Sequence, residues 1–328
     1  MASAPTTTTP PAEPPVKQSK RAAKKAAREE SGAWYPRWYW PSLASPSALW
    51  LAIFFILPLY VVVSVAFGTS DPIFGAPLPV YEPWYWSGSS FQQVIKRFVG
   101  PASFWQPSLI RTLVFVAIAS LICVVVGFLV AYYVARYGGK RKTLYLVLLV
   151  APFWISYLMR IFAWQSLLQP NGYVNDFLRI IHVAPTPIDW LSGKPVTVIL
   201  SLVYGYIPYM ILPIYGGIDR MNVSWLEASK DLGANPFRTF FRVTIPVSKQ
   251  AILAGAVIVS LPMFGDYYTN NLMGSSRTSM YGNLIDKTIT QQGQGPRAGS
   301  LVLILMVLLL IPMLYYLRST RRAAEGVE

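Results

Sequence analysis

The feature that most constrains this chain is a series of six apolar stretches, each long enough to cross a lipid bilayer: Ser47–Phe67, Leu109–Ala135, Leu144–Leu168, Val196–Ile218, Gln250–Leu272 and Gly299–Leu317. A helix rises about 1.5 Å per residue, so about 20 apolar residues cover the hydrocarbon core. No water is present there to satisfy backbone groups, which confines such a chain to a helical bundle. Composition agrees: 54% of the 328 residues are hydrophobic and 13% are charged, against about 25% charged in a soluble domain. Five of the six stretches contain proline, at Pro58, Pro152, Pro208, Pro213, Pro262 and Pro312. Packed membrane helices accommodate these as kinks. The expected fold is an all-α membrane protein with six transmembrane helices.

A net charge of +14 in so apolar a chain could suggest nucleic acid, but that partner needs a basic face on a folded domain. Here the cations sit between the apolar stretches, and no nucleic-acid partner is expected. With the N-terminus inside, nineteen of the 28 Lys and Arg residues fall in the cytoplasmic segments: the N-terminal tail, Arg136 to Lys142, the segment 219–249 and the residues after Leu317. Basic residues accumulate on the cytoplasmic side, which places both termini there. Residues 1–46 are expected to be a basic, disordered cytoplasmic tail rather than a cleavable signal, residues 47–318 the membrane domain, and 319–328 a short cytoplasmic tail. Trp34–Trp40 and Trp84–Trp86 suit the interface, and the loop from Gly68 to Ser108 is long enough for a small surface element.

The segment from Asn222 to Gln250, NVSWLEASKDLGANPFRTFFRVTIPVSKQ, is the most informative. Ser224 and Glu227 have the spacing of a capping box, so a helix is expected to start there. Gly233 is placed to end it in a left-handed conformation, and Asn235-Pro236 supplies a second helix start. The apolar set Trp225, Leu226, Leu232, Phe237, Phe240 and Phe241 makes the segment amphipathic. On physical grounds it could equally lie on the membrane or dock in a groove of another protein.

Glu227-Ala228-Ser229, then three residues, Gly233, nine residues, and Val243-Thr244-Ile245-Pro246 resemble the EAA loop of ABC-importer permeases. That pattern is Glu-Ala-Ala, three residues, Gly, nine residues, Ile-x-Leu-Pro. Ser229, Val243 and Ile245 are mild departures. The resemblance extends over roughly residues 45–320 through Ala151-Pro152-Phe153-Trp154, Arg160-Ile161, Asn171 to Leu178, Asp266-Tyr267-Tyr268 and Asn271 to Gly274. These marks are similar to those of the first permease of bacterial spermidine/putrescine importers.

The resemblance implies a type I importer permease of the bacterial inner membrane. Its coupling helix, with Glu227, Ala228, Ser229, Gly233 and Pro246, would insert in a cleft of an ATPase subunit. It further implies a second homologous permease, two ATP-binding ATPase subunits and an extracellular solute-binding protein. Solute would move by alternating access.

Chemistry in the chain itself is not expected. No Gly-x-x-x-x-Gly-Lys-Ser/Thr phosphate loop is present, since Gly138 to Thr143 lacks the spacing, so ATP hydrolysis falls to a partner. The single cysteine, Cys123, lies in an apolar stretch, and the single histidine, His182, in a Pro-rich loop. No catalytic constellation, cofactor or metal site follows from them. A permease for another solute and an ion-coupled secondary transporter are the rival readings. The latter often shows two similar halves, and none is visible here.

Asp266 is the only carboxylate within these stretches and Arg160 the only cation deep in one. An ionised group near the bilayer centre costs about 2.5–3.5 kcal/mol on insertion scales, so each must face protein or water. Either the two pair with each other, or Asp266 lies near the external interface, or Asp266 faces the solute path and attracts an ammonium, helped by Tyr267, Tyr268, Trp154 and Tyr204.

Overall fold

A computed structural model describes residues 38–99 and 105–325. The basic run from Lys17 to Arg28 and most of the expected N-terminal tail lie outside the described residues, as does the end of the C-terminal tail. The chain divides into two compact units, 1–58 and 59–328. The described part of the first unit belongs to helix α1 (Tyr39–Ala66), whose apolar side chains there are exposed, with Trp50 and Phe54 in ring contact at 4.1 Å.

The second unit is built around three long helices: α3 (Gln106–Tyr137), α7 (Pro195–Asp219) and α9 (Pro236–Gly265). They pack on one another as the largest helix contacts of the fold. On α3 the small residues Ala119, Cys123, Gly127 and Ala131 recur every fourth position and are all buried. Such a stripe lets backbones approach closely where hydrophobicity gives no preference between neighbours in a bilayer. Met210 of α7 fills the resulting gap. A Cβ on Gly127 would stand 2.9 Å from its Cγ, and one on Gly255 of α9 2.7 Å from its Sδ. Helix α12 (Gly295–Glu325) closes the unit against α9 and α11 (Tyr281–Ile289). The first long loop holds a minimal antiparallel hairpin, β1 (Thr69–Ser70) with β2 (Pro77–Leu78), and helix α2 (Ser89–Val99) lying on α12.

Two of the expected spans are corrected. Leu144–Leu168 is not one straight helix. Helix α4 (Lys142–Val150) runs into a 3-10 turn at Ala151–Trp154, and α5 (Tyr157–Leu167) leaves it at 87°. Pro152 has no N–H to give, and Ile155 and Ser156 are extended (ψ 139° at both), so the helical ladder stops. The described residues therefore hold five continuous helices long and apolar enough to span, and a bent helix pair that makes a sixth when counted as one span. The fifth span also ends early: α9 stops at Gly265, Asp266 is its C-cap with ψ 114°, and the short helices α6 (Tyr173–Ile180) and α10 (Tyr268–Met273) lie in the connecting segments.

Candidate functional site

The amphipathic segment folds as two helices joined by a tight turn. Helix α8 (Val223–Asp231) starts at Asn222, whose Oδ1 accepts from the Ser224 N–H at 3.0 Å. The expected capping box of Ser224 with Glu227 is thus replaced by a cap two residues earlier, and Glu227 stands exposed on the helix. Gly233 has φ +76°. The Gly233 N–H donates to Lys230 O (2.8 Å) and the Ala234 N–H to Ser229 O (3.0 Å), closing the helix as a Schellman turn. Asn235 Oδ1 then accepts from the Arg238 N–H at 2.8 Å, and Pro236 opens α9 as expected.

Two contacts fix this hairpin. Ser229 and Thr239 share a buried hydroxyl contact of 2.6 Å between α8 and α9, which is why a hydroxyl suits the third position of the motif. Phe240, in a π turn at Phe240–Thr244, packs edge-on against Phe128 and Tyr132 of α3 at 5.4 and 5.9 Å. Four of the other apolar residues face outward: Leu232 is 88% and Phe237 77% exposed, and Trp225 and Phe241 are exposed too, while Leu226 is half-buried. Ala228 and Pro246 share that exposure. The result is an apolar projection with two exposed carboxylates, Glu227 and Asp231, beside it.

The second locus is the buried charges. Asp266 is 6% exposed, and four neutral donors surround its carboxylate. Its Oδ2 accepts from the hydroxyls of Tyr157 (2.8 Å), Tyr206 (3.3 Å) and Thr269 (2.7 Å), and its Oδ1 from the Thr269 N–H (3.0 Å). Arg160, 7% exposed, lies against the rings of Phe153, Tyr157 and Tyr204, with its guanidinium carbon 4.1, 5.5 and 5.9 Å from their centroids. The two charges do not pair: among the described residues Arg160 joins no ion pair.

Helix α7 sorts them. Tyr204 meets Arg160 and Tyr206 meets Asp266, while Gly205 between them forms the bed for Tyr157; a Cβ there would lie 2.6 Å from Tyr157 Cε2. Of the other aromatics expected here, Trp154 is 79% exposed, and the rings of Tyr267 and Tyr268 contact each other at 4.0 Å, tilted by 31°, with Tyr268 exposed. Sequence reasoning missed Tyr157, Tyr206, Thr269 and Gly205. Hydroxyls within apolar stretches were the available signal, since a buried phenol needs a hydrogen-bond partner.

A family model described as the inner membrane component of binding-protein-dependent transport systems matches residues 124–322, more than half of the chain. The chain belongs to this family. The permease is 31% identical over 285 residues to the spermidine/putrescine transport system permease protein PotB of Escherichia coli (strain K12), covering 85% of this chain and 97% of that one. PotB of Haemophilus influenzae is 30% identical over 281 residues, covering 85% and 93%. A chain from the crystal structure of a bacterial alginate ABC transporter, in complex with an alginate-bound periplasmic protein, superposes with a TM-score of 0.67. It covers 93% of the permease and 98% of that chain at 17% identity, a likeness of fold alone. The permease is thus a multi-pass inner-membrane transport protein of the ABC type, and the helical architecture expected from its sequence holds.

Proposed function

We propose that this permease forms half of the membrane path of an ATP-driven polyamine importer. A second, homologous permease forms the other half, two ATPase subunits supply the energy, and an extracellular solute-binding protein delivers spermidine or putrescine. Both termini lie in the cytoplasm, as does the loop 219–249. The outward-facing Trp225, Leu232, Phe237 and Phe241 around Glu227 carry the coupling part of the proposal. A projection this apolar is costly in water, and an amphipathic helix of this form fits a groove in a protein partner. Glu227, Ala228, Ser229, Gly233 and Pro246 transmit the motion: Ser229 and Gly233 hold the shape, and the other three present the surface.

Support for the solute comes from the near full-length similarity to permeases named for spermidine and putrescine. The electrostatics agree. Asp266 brings one negative charge into the bundle and is met only by neutral donors among its hydrogen-bond partners. Trp154, Tyr267 and Tyr268 offer ring faces to ammonium groups, with cation–π attraction of about 0.5–2 kcal/mol each. Uptake of radiolabelled spermidine into cells expressing the complete system, with unlabelled solutes as competitors, tests this. Spermidine and putrescine should compete, and competition by a sugar or an anion instead would overturn the solute assignment.

A further inference from the structure

Two buried opposite charges share one tyrosine in this bundle without touching each other. The Tyr157 hydroxyl donates to Asp266, and the face of its ring lies against Arg160. Nε and Nη1 of Arg160 are shielded from solvent and make no hydrogen bond among the described residues. A guanidinium stays charged at any physiological pH and carries five donors. The rings of Phe153, Tyr157 and Tyr204 attract its charge but offer no acceptor in its plane. Native proteins seldom leave such donors without acceptors, and a buried charge lacking a counter-charge is among the most costly arrangements available. Asp266 is the carboxylate bonded to Tyr157, and each charge sits at a break in its helix: Arg160 one turn beyond the extended pair Ile155–Ser156, Asp266 at the C-cap of α9. Such breaks absorb backbone rotation when packed helices shift.

We infer that Arg160 and Asp266 form an ion pair in the opposite access state of the transport cycle, the guanidinium replacing Tyr157 at the carboxylate. In the present state Asp266 is buried and hydrogen-bonded only by neutral groups, so its charge is uncompensated and attracts a solute ammonium. In the other, Arg160 satisfies its orphaned donors there and expels that ammonium. Arg160 is then an internal competitor for the solute's counter-charge, which gives the two states the difference in solute affinity that directional transport requires. The competition rests on the polyamine reading, whereas the pair itself does not.

The test uses the complete assembly in proteoliposomes. Arg160→Gln and Asp266→Asn should each lower spermidine uptake about tenfold or more, and the double variant should fall no further than the worse single one, the mark of coupled sites. Independent effects that multiply in the double variant would overturn the pair. Cys123 is the only cysteine of the chain, so Arg160→Cys with Asp266→Cys in a Cys123→Ala background reads their approach directly. Oxidative cross-linking within this chain should differ severalfold in yield between the nucleotide-free and vanadate-trapped assemblies. Equal yields in both would overturn the proposal. That measurement needs no solute: a wild-type assembly that imports no polyamine, together with a double-cysteine variant that cross-links in one state alone, would refute the solute and leave the pair standing.

Discussion

Gly205 illustrates how a residue without a side chain can set a site. The Tyr157 ring lies where its Cβ would be, 2.6 Å from Cε2. Gly205→Ala should force Tyr157 away from Asp266 and destabilise the permease by about 1–3 kcal/mol, the scale of overpacking a tight contact. A lowered midpoint of thermal unfolding in detergent would register it, and an unchanged midpoint would mean that the ring relaxes freely. Tyr157→Phe is the milder counterpart. It removes one of the donors to Oδ2 but leaves Tyr206 and Thr269 in place, so its cost should be about 0.5–1.5 kcal/mol by the same measurement. Gly233 differs in kind, because its neighbourhood is empty and only its φ of +76° matters. Gly233→Val should cost about 1–2 kcal/mol through backbone strain alone, and ATP-driven uptake should fall with it if the turn aims α8.

At the scale of the element, the hairpin of α8 and the start of α9 separates stability from coupling. Glu227 takes no part in the cap, which Asn222 provides. Glu227→Ala should therefore leave the permease as stable as before while slowing uptake. Leu232→Asp and Phe237→Asp change exposed side chains, so insertion and folding should persist, while the yield of co-purified ATPase should drop tenfold or more, as for apolar anchors at the centre of an interface. An undiminished yield in both would remove this projection from the ATPase interface. Helices α3, α7 and α9 respond in the opposite way. Gly127→Leu would drive a side chain into Met210 and should reduce the folded fraction outright, whatever the ATPase does.

For the whole molecule, orientation is the decisive expectation. Nineteen basic residues on one side against nine elsewhere predict that reporters inserted near Gly139 and Ala234 read as cytoplasmic, and those near Ser89, Asn175 and Ser275 as external. An external signal at Ala234 would put the projecting hairpin on the wrong side for any ATPase and refute the coupling proposal.

The sequence by itself determined the features that depend on neighbours along the chain. The length of the apolar stretches makes the protein a helical membrane bundle, and Gly233 and Asn235-Pro236 fix the turn and the second helix start, because turn and cap preferences act within a few residues. Locally ambiguous signals were legible only in part. Asn222 and Ser224 are both good caps, and the choice between them depends on where α7 ends, at Asp219. Pro152 could have been a kink and is instead part of a break, since the 87° turn of α5 brings Arg160 and Tyr157 to α7 and α10. Tertiary structure decided the distant partners of the charges. Asp266 meets Tyr157 and Tyr206, 109 and 60 residues away, and Arg160 meets rings on either side of it in the chain. Such meetings follow from how helices pack against one another, and in a bilayer small residues set that packing, since lipid and protein are equally apolar and the periodicity of a helix no longer says which face turns inward.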